Sequence, residues 1–333
     1  MKWQNLFLAS LAMASMQVMA GQGYEERPEV QSFIEEQAET ADFDPQQLLA
    51  IFAQVEKQQS ILDAMSNPAE AKPWYEYRKI FLTDKRADAG VDFWREHASD
   101  LERAANTYGV DPEIIVAIIG VETFYGKRTG KYRVINALST LGFDYPPRAA
   151  FFRKELAQYL LLARDEGWDM LNPKGSYAGA MGMGQFIPSS YRAYAVDFSG
   201  DGKRDLWNTT DAIGSVANYF SRHGWTKGEG VATRLASDQS RDEVAERMKT
   251  DPKPSYDRDD LSRHGLLPED MPGGEGPFSV IALEAKDGNE YWIGQNNFYV
   301  ITRYNRSPLY AMAVYQLSQE IKKRYQHQLA QGS

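Results

Sequence analysis

The chain has 333 residues, enough to bury a sizeable core and to hold two or three domains. Its formal net charge of −9 speaks against nucleic acid, because phosphate binding needs a basic face. There is no cysteine, and His97, His223, His264 and His327 lack metal-ligand spacing. Disulfides and thiol chemistry are excluded, a His-based zinc site has no local support, and the chemistry falls to carboxylates, hydroxyls, amides and aromatic rings.

Lys2, the apolar run Leu6 to Met13 and the small-residue pattern Val18-Met19-Ala20 read as a secretory signal peptide over residues 1–20. The run is too short to cross a bilayer as a helix, and no later stretch approaches 18 uninterrupted apolar residues. No cysteine follows it to carry a lipid, so an exported chain without a membrane anchor is expected.

Residues 27–39 and 44–65 are predicted helices, the second capped by Asp44-Pro45 and stopped by Asn67-Pro68. Residues 72–77 read as an aromatic loop, whose rings either pack inward or line a carbohydrate groove. Helix is expected again over 91–108. The stretch from Asp111 to Gly126 then opens with Asp111 as N-cap and Pro112 at the first helical position. It runs apolar all round through Val121, the mark of a buried helix, yet ends on Glu122. Ile115, Ile119 and Glu122 share one face. Apolar neighbours and a place in the last helical turn would both favour the protonated acid there.

A polar segment is expected to about Ala137, and an amphipathic helix over 148–165 with Phe151 and Phe152 inward. Ser176 to Tyr191 carries three glycines among small and flexible residues. It reads either as a tight helix-packing turn or as the floor of an active site with Gln185 pointing in; it is not a phosphate cradle. Asp197-Phe198-Ser199-Gly200-Asp201-Gly202-Lys203-Arg204-Asp205 has oxygen donors and a glycine placed as at the start of an EF-hand calcium loop. Lys203 would offer only its carbonyl. Asn208 stands where the closing Glu belongs, and Asp211 could take that role in a longer loop; an ordinary Asp-Gly turn is the alternative. Residues 226–276 give no clear pattern. Strands are expected over 278–285 and 290–294 around the turn Asp287-Gly288, with a third extended run over 297–302 and a helix over 307–326.

Four motifs in order, G-V-E-T-F-Y-G, S-Y-A-G-A-M-G-M-G-Q-F-I-P-S-S-Y, D-F-S-G-D-G and N-N-F-Y-V-I-T-R-Y-N-R-S-P-L-Y, make the chain resemble the glycoside hydrolase 103 family of lytic murein transglycosylases. The resemblance runs from about Pro73 to the final helix. It implies a mainly α protein: a lysozyme-like helical core with a helical N-terminal extension and a small inserted antiparallel β domain. The corresponding division is 21–95 for the extension, 96–230 for the core with the EF-hand-like loop, 231–295 for the β domain and 296–333 for the return to the core. By resemblance Glu122 is the catalytic acid, and Tyr77, Ser176, Gln185, Tyr219, Tyr304, Asn305 and Tyr310 are the groove residues. One structural Ca2+ would be held by Asp197, Ser199, Asp201, the Lys203 carbonyl and Asp211, with no organic cofactor. The implied partners are peptidoglycan glycan strands and other cell-wall enzymes, in the periplasm.

Most glycosidases use two carboxylates. Here one acid stands out, and a lytic transglycosylase can use it first as acid and then as base to form a 1,6-anhydromuramyl product. A hydrolysing muramidase and a non-catalytic glycan-binding scaffold are the alternatives.

Overall fold

The computed structural model describes residues 23–66, 72–236, 239–268 and 275–332; the signal segment 1–20 and the Asn67-Pro68 stop lie outside them. The chain divides into two compact units, with the boundary between Val55 and Glu56. In the first, α1 (Pro28–Ala41) and α2 (Pro45–Phe52) both start on proline, whose fixed φ suits the first helical position. The Asp44 side chain caps α2 by accepting from Gln46 N at 2.9 Å. Phe33 and Phe52 meet edge to face at 6.1 Å.

The helix expected over 44–65 is two helices. α2 stops at Phe52 in a tightened last turn, and α3 (Gln59–Met65) starts afresh. The N–H of Gln58, just before α3, goes to Thr140 Oγ1 at 3.0 Å, a tertiary contact that local pattern cannot announce. Residues 72–77, expected as a loop, begin α4 (Trp74–Phe81), which buries Trp74 and Tyr77 three residues apart on one face. α5 (Asp84–Glu96), capped by Thr83, and α6 (Ala98–Tyr108) replace the single helix expected over 91–108 and break at His97.

α7 (Pro112–Thr123) is the buried helix foreseen, with Ile114 through Ile119 no more than 1 % exposed. It packs against α5, α6 and two later helices, α11 (Thr209–Arg222) and α15 (Pro308–Gly332). Its start is pinned by the largely buried Glu113, which takes Lys322 Nζ of α15 at 2.6 Å. The segment expected as polar to Ala137 contains β1 (Tyr132–Arg133) and the first turn of α8 (Val134–Asp144). α8 escaped the sequence reading because Asn136, Ser139 and Thr140 interrupt its apolar pattern, although all three are buried.

α9 (Ala149–Asp165), β2 (Lys174–Gly175), α10 (Pro188–Tyr194) and α11 (Thr209–Arg222) follow. β1 pairs antiparallel with β2, drawing the chain after α7 against the glycine-rich stretch. A side chain at Gly130 would meet Gly175 backbone at 2.0 Å, so this approach needs glycine.

β3 (Ala232–Arg234), α12 (Gln239–Arg247), α13 (Arg258–Arg263), β4 (Ser279–Ala285) and β5 (Gly288–Gly294) build the small sheet, in the order β3-β5-β4, all antiparallel. Leu235, Leu261, Leu266, Phe278, Val280 and Ile293 form its core. Residues 297–302, expected as a third extended run, are helical: α14 (Asn296–Tyr304) buries Asn297, Phe298, Val300 and Ile301, a spacing that fits one helix face. α15 (Pro308–Gly332) ends the chain alongside α7. The mainly α architecture with a small antiparallel sheet is therefore as expected. Among the described residues, no helix is long and apolar enough to cross a membrane.

Candidate active site

Glu122 sits in the last turn of α7, half-buried, where the helix gives way to a tight turn. Phe124, Tyr125 and Gly126 take left-handed φ values of 52°, 60° and 80° in succession. Two such non-glycine residues cost about 1–3 kcal/mol each, so their surroundings must hold them. Tyr125 Oη donates to Arg86 O at 2.8 Å, in a space kept open by Gly90 and Gly120. Thr123 Oγ1 accepts from Gly126 N at 3.0 Å and lies 2.9 Å from Met183 O, fastening the end of α7 to the glycine-rich stretch. Met183 N donates to Leu206 O at 2.8 Å, and a Cβ on Gly182 would lie 2.3 Å from Leu206 Cβ. The stretch is thus clamped on both sides. Gln185 and its neighbours line a cleft of about 940 Å³ together with Glu122.

Around Glu122 the cleft gathers Ser176, Gln185, Tyr219, Tyr304 and Asn305 of the residues named from sequence. Ser176 Oγ accepts from Ala178 N and Ala180 N at 3.2 and 3.1 Å, which leaves its proton for a ligand. Gln185, itself at φ 52°, gives its amide nitrogen to Thr129 O and Gly182 O, at 3.1 and 2.9 Å. Its amide oxygen remains for the cleft. Tyr219 Oη donates to Arg303 O at 2.6 Å, and Tyr304 Oη donates to Gly184 O, so both rings are fixed by backbone rather than by a ligand. Tyr310 and Tyr77, 3 % and 1 % exposed, are not lining residues. Tyr310 instead donates to Glu122 Oε1 at 2.6 Å from behind, while Tyr77 packs on Trp74 and Phe81. Burial, reinforced by the nearby Glu122 charge, pushes the Tyr310 and Tyr304 phenols well above their usual range, so both stay protonated donors.

Several cleft residues escaped the sequence reading. Phe151, expected inward, is 37 % exposed at the rim, with the Arg148 guanidinium 4.5 Å over its ring. Tyr177, Tyr194, His223, Arg303 and Arg306 also line the cleft. Periodicity could not separate Phe151 from Phe152, because adjacent helical positions near a face boundary diverge only when the neighbours are known. His223 stacks on Tyr219 at 3.9 Å, and burial holds its imidazole below the usual range, with Arg303 adding to the effect and a bond to Tyr219 O opposing it. The cleft therefore carries three arginines, a neutral imidazole and one carboxylate, Glu122, in a chain of net negative charge.

The acidic loop lies apart from the cleft lining. One oxygen each from Asp197, Asp201 and Asp211 falls within 4.8 Å of the others. Asp211 is fully buried: Oδ1 accepts from Phe198 N and Ser199 N at 2.9 and 2.7 Å, and Oδ2 from Asp205 N at 2.9 Å. Asp197 accepts from Gly200 N and Gly202 N at 2.6 and 2.8 Å. Ser199 Oγ and Lys203 lie in the same turn of chain. Clustered hard oxygen donors suit Ca2+ rather than a softer metal.

Residues 25–319 match the transglycosylase SLT domain family. The chain belongs to that family. It is 47 % identical over 311 residues to the membrane-bound lytic murein transglycosylase B of Escherichia coli K12, covering 90 % of this chain and 84 % of that one. Among solved structures it is similar to the lytic transglycosylase SltB1 of Pseudomonas aeruginosa, at 52 % identity and a TM-score of 0.84, over 91 % of this chain and 99 % of that one. It is likewise similar to the Escherichia coli lytic transglycosylase SLT35, solved with bulgecin A and separately with calcium, at 47 % identity and a TM-score of 0.82, over 90 % and 94 % of the two chains. The SLT transglycosylases are peptidoglycan-cleaving lyases, and this chain is a lytic transglycosylase of peptidoglycan with their mainly α, lysozyme-like fold.

Proposed function

We propose that Glu122 alone cleaves the β-1,4 bond between N-acetylmuramic acid and N-acetylglucosamine, acting as acid and then as base. The observation that carries this reading is that Glu122, held by Tyr310 at 2.6 Å, is the one carboxylate lining the cleft among the described residues. A hydrolase of the usual kind needs a second acid to attack or to activate water.

In the proposed sequence the Glu122 carboxyl, with Tyr310 donating to its Oε1, carries the proton at the start. It protonates the glycosidic oxygen, the N-acetylglucosamine unit departs, and the N-acetyl oxygen of the muramyl residue closes on its own C1. The Glu122 carboxylate then removes the proton from the muramyl 6-hydroxyl, whose oxygen displaces the N-acetyl oxygen from C1 to form the 1,6-anhydro ring. No water is consumed. Tyr310 stabilises the carboxylate formed after the first step by a charge-assisted hydrogen bond. Ser176 and Asn305 meet the sugar's polar edge, and Tyr219 and Tyr304 its apolar face. Tyr77 supports Tyr310 from behind rather than touching sugar. Purified sacculi digested by the enzyme should yield products ending in anhydromuramic acid; products heavier by about 18 Da, one water, would establish a hydrolase, and no products a scaffold.

Tyr310→Phe should lower kcat about tenfold to a hundredfold with KM little changed, since a hydrogen bond to a charged group is worth about 1.5–3 kcal/mol and Tyr310 does not line the cleft. A raised KM with unaltered kcat would mean that the hydroxyl serves binding instead. Arg148, Arg303 and Arg306 suit a polymer whose lactyl and stem-peptide groups carry carboxylates. Arg306→Ala should raise KM for peptide-bearing strands about threefold and flatten the salt dependence of kcat/KM, as expected for an exposed, screened charge. An equal loss of binding to peptide-free, uncharged chitin oligomers would contradict this.

The loop of Asp197, Ser199, Asp201, the Lys203 carbonyl and Asp211 would hold one structural Ca2+, supplying charge neutralisation and loop rigidity but no step of the reaction. The division into an extension (21–95), core (96–230), inserted β domain (231–295) and returning segment (296–333), and export to the periplasm by residues 1–20, complete the proposal. Peptidoglycan strands are the substrate, and other cell-wall enzymes are the candidate protein partners.

A further inference from the structure

A second cleft, of about 580 Å³, opens beside the first and is lined by none of its residues. Trp168 and Trp207 form its aromatic corner, their rings 5.9 Å apart at 73° and both partly exposed. Trp168 rests edge to face on the fully buried Tyr191, at 5.6 Å and 80°, so the corner is rigid. An indole set this way offers a flat apolar face with a polar tip, the surface that the apolar face of a pyranose covers.

Of the three carboxylates in this cleft one is ion-paired, and the other two accept from neutral N–H groups. Glu166 is taken by Arg204, Asp169 accepts from Leu171 N at 3.0 Å and Asn172 Nδ2 at 2.9 Å, and Asp205 accepts from Trp207 N at 2.9 Å. Lys174 and Lys203 have exposed side chains with no carboxylate partner among the described residues. The cleft therefore presents two ammonium groups without an ion-pair partner beside an aromatic corner, with the Asp169 and Asp205 carboxylates also in its lining. Lys174 is two residues from Ser176 of the candidate active site, a reach of at most about 7 Å along the chain, so one segment walls both clefts.

We propose that this second cleft binds an N-acetylmuramyl unit of the glycan, with the pyranose on the Trp168–Trp207 corner and a lactyl or stem-peptide carboxylate on Lys174 and Lys203. The inference rests on the peptidoglycan reading above. It gives the enzyme a hold on its polymer outside the cleft where the bond breaks.

The catalytic cleft has no tryptophan among its lining residues, so the indole N–H resonances of Trp168 and Trp207 report the second cleft alone. In the full chain carrying Glu122→Gln, with these signals assigned through Trp168→Phe and Trp207→Phe, a soluble disaccharide tetrapeptide should shift both. Lys174→Glu, a change at an exposed side chain, should weaken that response at least fivefold with the thermal midpoint unchanged. Indole signals that stay still while Tyr177 in the catalytic cleft saturates would overturn the proposal, as would the same midpoint of titration in Lys174→Glu. Release of anhydromuropeptides by the unsubstituted chain is measured separately: its absence defeats the catalytic reading, whatever the indoles show.

Discussion

Glu122→Gln should retain glycan binding while release of anhydromuropeptides falls by about 10³-fold or more. Glutamine keeps the size of the side chain and a carbonyl oxygen to accept the Tyr310 hydrogen bond, whose geometry is 2.6 Å in the native chain. What it removes is the proton. General acid–base catalysis is worth about 10²–10⁴-fold, and here both proton transfers of the proposed sequence pass through one residue. The two measurements are product release from sacculi, followed by mass spectrometry, and binding of the variant to the same sacculi. A variant retaining more than a tenth of native turnover would remove Glu122 from the mechanism. Lost binding alongside lost turnover, in a folded protein, would instead assign it to holding the sugar.

The largest effect on stability is expected from Asp211→Ala. The Asp211 carboxylate is fully buried and gathers three backbone N–H groups, from Phe198, Ser199 and Asp205. Each hydrogen bond to a charged group contributes about 1.5–3 kcal/mol, and an orphaned buried donor costs about 1–3 kcal/mol; some water entry offsets this, leaving a loss of about 4 kcal/mol. For a chain of this size that is a drop of about 6 °C in thermal midpoint, read by calorimetry. Calcium at about one hundred times its Kd should add about 2.7 kcal/mol to the native chain and nothing to the variant. A midpoint within about 2 °C of native would show that the loop does not depend on Asp211, and a calcium response retained in the variant would exclude Asp211 as a ligand. The loss should also reach the cleft around Glu122. Leu206, one residue past Asp205, accepts from Met183 N and donates its own N–H to the Tyr191 hydroxyl, so a loosened loop frees the segment carrying Gln185.

The second cleft bears on how the binding of Glu122→Gln is read. If the Trp168–Trp207 corner and Lys174 hold polymer, sacculus binding by Glu122→Gln is a sum over two sites, whereas turnover reports one. Soluble disaccharide peptides and intact sacculi therefore need to be compared side by side.

The linear chain determined what depends on neighbouring residues. An uninterrupted apolar run with Asp111-Pro112 before it specified the buried α7, since no exposed surface could carry it. Oxygen donors at alternate positions with glycine between specified a turn whose carboxylates converge. The Asp287-Gly288 signal located the β4–β5 hairpin, although the strands pair through to Ala285 and Gly288 and place Lys286 and Asp287 at the turn.

Only tertiary structure decided what depends on distant partners. The break before α3 coincides with a bond from Gln58 to Thr140, eighty-two positions away. α8 buries Asn136, Ser139 and Thr140, polar residues that read as surface until their neighbours are known. Residues 297–302 have β-branched and aromatic side chains suited to a strand, but the contacts of a helix face overrode that weak preference. At the site itself, sequence could name Glu122 and Tyr310 but not join them: they stand 188 positions apart, and the 2.6 Å bond exists because α15 packs along α7. Residue type and local spacing set which groups are available for chemistry. Which of them meet is a property of packing between elements far apart in the chain, and no local pattern encodes it.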